Sequence, residues 1–160
     1  MKSSPSDWIG NWAFRTPQRI AAKQMESGLT LTYGELNVCC NRLVALLFTK
    51  YSCQRGDRVA ILAENSIEHL IFFGAAQKSG LILVPLNYRL APAEIHKILD
   101  LTRPQVIVAG KQWISLLQDK YLEGVIDPED LMTILQVAGE SALTHIVPAG
   151  DDDPLFILYT

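Results

Sequence analysis

A chain of 160 residues is long enough to bury a hydrophobic core within one domain. Apolar residues make up 49% of the sequence and charged residues 19%, proportions that argue against intrinsic disorder. Fourteen basic and 17 acidic residues give a net charge of -3, so the composition lacks the basic excess typical of nucleic-acid-binding proteins.

The cysteines and the N-terminal residues indicate the compartment. Cys39, Cys40 and Cys53 lack metal-ligand spacing, and the adjacency of two of them disfavours a disulfide framework. Residues 1–7 contain no apolar stretch or cleavage site of a signal peptide, and we expect them to be flexible. No run approaches the roughly 18 apolar residues of a membrane-spanning helix. We therefore expect a cytoplasmic protein without a transmembrane segment.

The first predicted elements are a short helix and a hairpin. The helix covers Trp8 to Thr16 and is ended by Pro17. The segments Arg19–Gln24 and Leu29–Thr32 flank Glu26-Ser27-Gly28, whose composition is typical of a hairpin turn.

A capping-box pair marks the start of the next helix. Thr32 and Glu35 have the spacing at which a threonine hydroxyl and a glutamate satisfy each other's backbone N–H groups. The apolar positions that follow recur at three- and four-residue spacing, which predicts one core-facing stripe. They are Leu36, Cys39, Cys40, Leu43, Leu46 and Leu47. Arg55-Gly56-Asp57-Arg58 breaks this pattern, and Val59–Ala63 is a continuous apolar run typical of a buried parallel strand.

The following helix is apolar on nearly every side, which predicts deep burial. Asn65 or Ser66 can cap its N terminus, Lys78 suits its C-terminal dipole, and Gly80 suits its left-handed cap. The predicted elements that follow are a strand over Leu81–Val84, a helix that begins at Pro92 and continues to Arg103-Pro104, and a strand over Val106–Val108.

The alternation of elements becomes weaker after Val108. Its remaining segments are Trp113–Gln118, Gly124–Ile126, a helix over Pro128–Val137, and Thr144–Val147. Strands separated by about 10 to 15 residues of helical pattern predict right-handed crossover connections. The sequence therefore predicts an α/β fold with a mostly parallel sheet and helices on both faces.

Three segments of the chain form an ordered set of motifs. The first combines Leu31-Thr32-Tyr33-Gly34-Glu35-Leu36 with Gly56–Leu62, the second is Lys78–Leu90, and the third is Asp153–Thr160. In this order they resemble signatures of the adenylate-forming (AMP-binding) superfamily, which includes acyl-CoA synthetases. The second is the strongest match, because it is close to the K-A-G-x-x-x-V-P-L-N-x-R-L stretch of acyl-CoA synthetases. The third resembles the strand that leads into the phosphate loop S-G-T-T-G-x-P-K-G.

The resemblance implies that residues 8–160 are a partial N-terminal AMP-binding domain, truncated at the phosphate loop, and the first subdomain of the large N-terminal domain. It further implies that the parent protein activates a carboxylic acid, expected to be a fatty acid, as an acyl-adenylate. ATP, Mg²⁺ and coenzyme A are the implied cofactors and co-substrates. Without the complete loop, the fragment itself is expected to be inactive and to bind none of them.

By the same resemblance, Thr160 corresponds to a position whose hydroxyl meets the ATP phosphates or Mg²⁺, and Tyr159 is similarly placed. Arg89 is a candidate for the phosphates of coenzyme A, since a guanidinium suits bidentate phosphate contacts. The alternatives are a terminal strand residue for Thr160, a packing aromatic ring for Tyr159 and a surface arginine for Arg89. No catalytic residue is assigned. Asn87 together with Arg89 favours acyl-CoA synthetases over peptide-synthetase adenylation domains.

Other chemically suggestive residues have simpler interpretations. His69, His96 and His145 lack partners at metal-binding spacing. Asp151-Asp152-Asp153 is more typical of a solvated linker than of a metal site. The helix around Phe72-Phe73 is better explained as core than as the wall of an acyl tunnel.

Two other functions remain open from the residues alone. One is a non-catalytic α/β module that binds a ligand or partner and ends at Thr160. The other is an adenylation domain with a different acceptor. If neighbouring elements are missing, uncovered apolar surface is expected to favour self-association.

Overall fold

A computed structural model describes residues 7–137, 149–150 and 152–159. Within these residues the helices are α1 (Trp8–Arg15), α2 (Tyr33–Thr49), α3 (Ile67–Ser79), α4 (Pro92–Thr102) and α5 (Pro128–Val137). The strands are β1 (Ile20–Lys23), β2 (Thr30–Thr32), β3 (Arg58–Leu62), β4 (Ile82–Pro85) and β5 (Val106–Ala109). Two short 3₁₀ helices, Lys111–Leu116 and Asp119–Tyr121, lie between β5 and α5. The α/β class is as predicted.

The predicted hairpin and capping box are both present. β1 and β2 pair antiparallel, and Gly28 in their connection has a φ of 73°, a left-handed conformation that glycine adopts without steric cost. At the start of α2, the Glu35 N–H donates to Thr32 Oγ1 at 3.3 Å, and the Thr32 N–H donates to Glu35 Oε2 at 2.8 Å. The helix therefore begins where its sequence signature places it.

The central sheet is parallel, with the strand order β4-β3-β5. The chain moves from β3 to β4 through α3 and then returns past β3 to β5 through α4. These two connections cross the sheet in opposite directions, so a common handedness puts their helices on opposite faces. The helices of the structure do lie on both faces of the sheet, as predicted.

Alternating side chains of the strands divide the core between these faces. One face packs against α2, α3 and α5 and includes Val59, Ile61, Leu83, Val106 and Val108. The other packs against α4 and includes Ala60, Leu62, Val84, Ile107 and Ala109. All of these sheet residues are buried. Burial on both faces explains why the strands are continuous apolar runs without a polar alternation.

Three helices meet closely at Gly74 of α3. A Cβ atom at this position would lie 2.4 Å from Cys40 Sγ of α2 and 2.5 Å from Ile9 Cδ1 of α1. The absence of a side chain therefore allows α1, α2 and α3 to approach one another. Phe72, two residues earlier, is 1% exposed, which confirms its predicted role in the core.

The ends of the two crossover helices are stabilised in different ways. Gly80 ends α3 with a φ of 71°, as predicted. Lys78 does more than complement the helix dipole, because its Nζ lies 2.6 Å from Asp7 Oδ2 at the start of α1. Arg103 ends α4 with a φ of 45°, and the guanidinium of Arg58 donates to the carbonyls of Thr102 at 2.7 Å and Arg103 at 2.8 Å.

Three predicted elements have a different outcome in the structure, and a fourth is not described. The Trp113–Gln118 segment largely coincides with the 3₁₀ helix Lys111–Leu116. The predicted strand Gly124–Ile126 is reduced to one parallel bridge between Ile126 and Val108. The strand predicted within Asp153–Thr160 is likewise reduced to one parallel bridge, between Phe156 and Leu83. The segment Thr144–Val147 lies outside the described residues.

Pro85 explains why the last of these pairings is so short. Ile82 and Leu86 of the β4 segment donate their backbone N–H groups toward β3, so Leu83 and Pro85 face the opposite edge. There the Leu83 N–H donates to the Leu155 carbonyl at 2.9 Å, and the Ile157 N–H donates to the Leu83 carbonyl at 2.9 Å. The next bond of this ladder would need an N–H at residue 85, and proline has none.

The described residues include all three cysteines. Cys39, Cys40 and Cys53 are free thiols, and burial raises the pKa of Cys53 to about 12 and that of Cys40 still further. Burial also raises the pKa of Cys39. Among the helices of residues 7–137, none is both long and apolar enough to cross a bilayer.

Candidate functional site

The carboxyl edge of the parallel sheet is the candidate site. β3 continues into α3 on one face, whereas β4 continues toward α4 on the other face. The chain therefore leaves the carboxyl ends of these two neighbouring strands toward opposite faces of the sheet. In open α/β sheets, ligands bind in the crevice at such a switch point.

The turn after β4 holds Arg89 at this edge. The Asn87 side-chain oxygen accepts a hydrogen bond from the Arg89 N–H at 2.9 Å, and the Leu90 N–H donates to the Asn87 carbonyl at 3.1 Å. Asn87 thus shapes the turn through its own side chain, as asparagine does in an Asx turn. Arg89 is exposed, and its guanidinium carbon lies 5.6 Å from the centre of the Tyr88 ring. The cation is therefore positioned in the turn yet open to solvent.

An aromatic pair that the sequence analysis did not identify lies beside Arg89. The rings of Tyr88 and Trp113 stack at 4.5 Å with an interplanar angle of 22°. Tyr88 follows β4, and Trp113 lies in the 3₁₀ helix that follows β5. The pair could not be found from residue spacing, because the parallel order of the sheet brings together two loops that are distant in sequence.

Tyr159 is placed at the same edge by the bridge between Phe156 and Leu83. Phe156 pairs with Leu83, so Tyr159, three residues later, lies at the level of Leu86, three residues after Leu83. Leu86 comes just before the turn that carries Arg89. Because the segments run in parallel, both advance toward the carboxyl edge. Tyr159 is 46% exposed, so it is not a core aromatic residue. Thr160, the other phosphate and Mg²⁺ candidate, lies outside the described residues.

A second cation at the edge, Lys111 after β5, is already paired. Its Nζ lies 3.1 Å from Asp127 Oδ2, 3.7 Å from Glu129 Oε2 and 3.9 Å from Asp130 Oδ1. The hydrogen bond with Asp127 is the main reason that the pKa of Lys111 is raised. Three neighbouring carboxylates offset its charge, which makes Lys111 a poorer anion ligand than Arg89.

Two of the three histidines make ordinary contacts in the structure. No group of three or more His, Cys, Asp or Glu side chains in the described parts of the chain is arranged to hold a metal ion. His69 Nδ1 lies 3.5 Å from Ser66 Oγ, and burial lowers its pKa. His96 Nε2 lies 2.8 Å from the Leu116 carbonyl, which accepts its hydrogen bond. His145 lies outside the described residues.

The predicted acidic linker is only partly solvated. Asp152 is exposed, but the Asp153 carboxylate accepts hydrogen bonds from the Arg55 guanidinium and, at 2.7 Å, from the Gly150 N–H. These contacts lower the pKa of Asp153, with the Arg55 hydrogen bond as the largest cause. Asp153 is thus both solvated and paired, and it joins the C-terminal segment to the turn before β3. Asp151 lies outside the described residues.

Two grooves of the described structure lie away from the carboxyl edge. One, of about 290 Å³, is lined in part by Gly80, Gly150 and Leu155 near the amino end of β4. The other, of about 490 Å³, includes Arg103 and Tyr121 and lies near the amino end of β5. Neither includes Phe72 or Phe73, so neither supports an acyl-tunnel role for these rings.

The family model and the related sequences point to the same family of enzymes. A family model for AMP-binding enzymes matches residues 10–160. The long-chain-fatty-acid–CoA ligase FadD13 of Mycobacterium tuberculosis is 30% identical over 153 residues, which cover 91% of this chain and 30% of the relative. A crotonobetaine/carnitine–CoA ligase of Citrobacter koseri is 29% identical over 133 residues, covering 80% of this chain and 25% of the relative.

The fold comparison agrees with the sequence comparison. The crystal structure of the N-terminal domain of FACL13 from Mycobacterium tuberculosis superposes with a TM-score of 0.84 at 30% identity. The match covers 99% of this chain and 42% of that structure. The described fold therefore corresponds to part of a larger domain, and the chain spans less than a third of the length of these curated relatives.

Proposed function

Because the chain belongs to the family of AMP-binding enzymes, we propose that the protein carrying it is an ATP-dependent acid–thiol ligase. In the proposed reaction, a carboxylate attacks the α-phosphate of ATP and releases pyrophosphate, and the coenzyme A thiol then displaces AMP from the acyl-adenylate. The observation that carries the proposal is the placement of Asn87 and Arg89 in an ordered turn at the carboxyl edge, within the segment that resembles acyl-CoA synthetases.

A fatty acid is the proposed carboxylic acid substrate. The support is the activity of the Mycobacterium tuberculosis relative, a long-chain-fatty-acid–CoA ligase that is 30% identical to this chain. The curated relatives also include a 4-hydroxybenzoate–CoA/benzoate–CoA ligase of Rhodopseudomonas palustris that is 27% identical, so the relatives of this chain also include a ligase for aromatic acids. We also propose a cytoplasmic location, which the three free thiols support.

The proposed roles follow from position and chemistry. The Arg89 guanidinium is exposed beside an aromatic pair and can form paired hydrogen bonds with the phosphates of coenzyme A. Tyr159 and Thr160 are proposed to face the ATP phosphates and Mg²⁺, because Tyr159 reaches the same edge at the level of Leu86, the residue that follows β4. ATP supplies the adenylyl group that activates the carboxylate, with pyrophosphate as the leaving group, and the Thr160 hydroxyl is the only ligand that we propose for Mg²⁺ from this chain.

The decisive experiment separates the two half-reactions in the product of the complete gene. Acid-dependent exchange of pyrophosphate into ATP reports adenylation, and thioester formation reports transfer to coenzyme A. We expect Arg89→Gln to raise the KM for coenzyme A about tenfold, the equivalent of roughly 1.4 kcal/mol, with pyrophosphate exchange unchanged. Lys97→Gln, which removes an exposed cation from α4, is the matched control and should alter neither half-reaction.

Three results would contradict these proposals. Absence of acid-dependent exchange would refute adenylation, and exchange without thioester formation would indicate another acceptor. An equal change in both half-reactions would show that Arg89 does not act through coenzyme A. For residues 1–160 alone, calorimetry with ATP and Mg²⁺ should detect no binding, whereas micromolar binding would favour a self-sufficient ligand-binding module.

A further inference from the structure

The Tyr88 ring lies between the core and the Arg89 cation at the carboxyl edge. Val84, Leu86 and Tyr88 stand at alternate positions, and all three pack into the core on the α4 face of the sheet. Tyr88 is half-buried, whereas Arg89, the next residue, is exposed. The Arg89 guanidinium carbon lies 5.6 Å from the centre of the Tyr88 ring, a distance at which the face of an aromatic ring attracts a cation. The ring is therefore a support for the Arg89 side chain.

Trp113 in turn holds the Tyr88 ring. The two rings stack at 4.5 Å with an interplanar angle of 22°. Stacked aromatic pairs have a preferred geometry, so the indole restricts the orientations that the phenol ring can adopt. Trp113 thus limits the motion of the ring on which the Arg89 cation lies.

The 3₁₀ helix that carries Trp113 is anchored near both of its ends. Before it, the Trp113 N–H donates to the Gly110 carbonyl at 2.8 Å, and the Gly110 N–H donates to the Leu62 carbonyl of β3 at 3.1 Å. A Cβ atom at Gly110 would lie 3.3 Å from Trp113 Cδ1, so the absence of a side chain leaves room for the indole. At its last residue, the Leu116 carbonyl lies 2.8 Å from His96 Nε2 of α4. The position of the indole is therefore fixed by the sheet and by the helix that covers it.

We propose that Trp113 and Tyr88 are positioning residues that orient Arg89 for the binding of coenzyme A. This role rests on the proposed function, in which Arg89 binds the phosphates of coenzyme A. An arginine side chain loses rotamer freedom when it binds a phosphate, and a ring that already restricts the side chain reduces that loss. Asn87, whose side-chain oxygen accepts the Arg89 N–H at 2.9 Å, fixes the backbone of the turn, and the two rings restrict the side chain.

A purely structural role for the aromatic pair predicts a different result. Loss of packing at Trp113 would then lower the stability of the whole edge and change adenylation and thiol transfer alike. Positioning of Arg89 instead affects only the step in which coenzyme A binds. The KM for coenzyme A, compared with kcat and with pyrophosphate exchange, therefore distinguishes the two roles.

The test uses the product of the complete gene and measures thioester formation over a range of coenzyme A concentrations. Trp113→Leu should raise the KM for coenzyme A roughly two- to fivefold, the factor that corresponds to an exposed cation–π contact, with kcat and pyrophosphate exchange unchanged. Trp113→Phe retains a ring for stacking and should restore most of the parental KM. The matched control is Ile114→Ala, which should leave the KM unchanged. Ile114 lies in the same 3₁₀ helix and packs against the same core.

A double variant tests whether Trp113 acts through Arg89. The combination Trp113→Leu/Arg89→Gln should have the same KM for coenzyme A as Arg89→Gln alone, because the rings then have no cation to position. Tyr88→Leu should reproduce the effect of Trp113→Leu, and Tyr88→Phe should behave as the parent protein does. The Tyr88 pair keeps the proposal testable if urea unfolding shows that Trp113→Leu does not fold.

The possible results separate this proposal from the role of Arg89 itself. If Arg89→Gln raises the KM for coenzyme A while Trp113→Leu and Tyr88→Leu do not, the positioning role is overturned and the role of Arg89 stands. If Arg89→Gln leaves the KM unchanged, both roles are overturned. Equal changes in pyrophosphate exchange and thioester formation, or effects of Trp113→Leu and Arg89→Gln that multiply in the double variant, would show that the aromatic pair does not act through Arg89.

Discussion

The ion pair between Asp7 and Lys78 connects the start of α1 to the last turn of α3, and its contribution to stability can be measured. The side chains are only 17% and 10% exposed, and Asp7 Oδ1 also accepts the Gly10 N–H at 2.9 Å as the N-cap of α1. Lys78→Met removes the ammonium and leaves a largely buried carboxylate without its cation. Asp7→Asn removes the charge and retains a side-chain oxygen that can cap the helix.

The expected magnitude lies between two limits. Removing one partner of a fully buried pair costs about 3 to 5 kcal/mol, whereas exposed pairs contribute less than about 1 kcal/mol. At the exposures of this pair, we expect Lys78→Met to lower the free energy of unfolding by about 2 to 3 kcal/mol. Asp7→Ala should cost about 1 kcal/mol more than Asp7→Asn, because it also removes the cap.

The assay is urea unfolding of the parent chain, both single variants and the double variant Asp7→Asn/Lys78→Met, followed by circular dichroism. The double variant should be more stable than the sum of the single effects by at least about 1 kcal/mol, because it leaves no unpaired charge. Effects that add to within about 0.5 kcal/mol would refute the reasoning. In that case the two groups would contribute to stability independently.

Two further predictions concern packing and pH. Gly74→Val should lower the free energy of unfolding by roughly 2 to 4 kcal/mol in urea melts, because the new side chain enters the contact between three helices. The control Ala93→Val, at an exposed position of α4, should lower it by less than about 1 kcal/mol. For Asp153, whose pKa is lowered in the folded state from 3.8, the stabilisation is fully present above about pH 4 and is lost as pH falls through the lowered pKa. Asp153→Asn should therefore be less stable than the parent at pH 7 and should approach it at low pH in pH-dependent melts; a difference that is constant with pH would contradict the linkage.

Elements with strong local signals were predictable from the sequence. Thr32 and Glu35 identify the start of α2 because both halves of a capping box lie within one turn of chain. Gly80 identifies the end of α3 because the left-handed cap is a local backbone requirement. These predictions needed no knowledge of the rest of the fold.

Elements that depend on a distant neighbour were predicted less well. The apolar run before Thr160 has the composition of a strand, yet it makes only one bridge with β4. The reason lies in Pro85, whose missing N–H matters only once the two segments are known to be adjacent. Asp153 similarly has the composition of a linker residue until folding brings it to Arg55.

By itself, the sequence determined the α/β class, the order of its helices and strands, and the resemblance to AMP-binding enzymes, because periodicity, caps and ordered motifs are local properties of the chain. The tertiary structure alone decided which loops share the carboxyl edge. Tyr88 and Trp113 stack, and Arg89 and Tyr159 reach the same edge, because the strand order is β4-β3-β5 and Phe156 lies beside Leu83. That arrangement depends on long-range strand pairing, which no local pattern specifies.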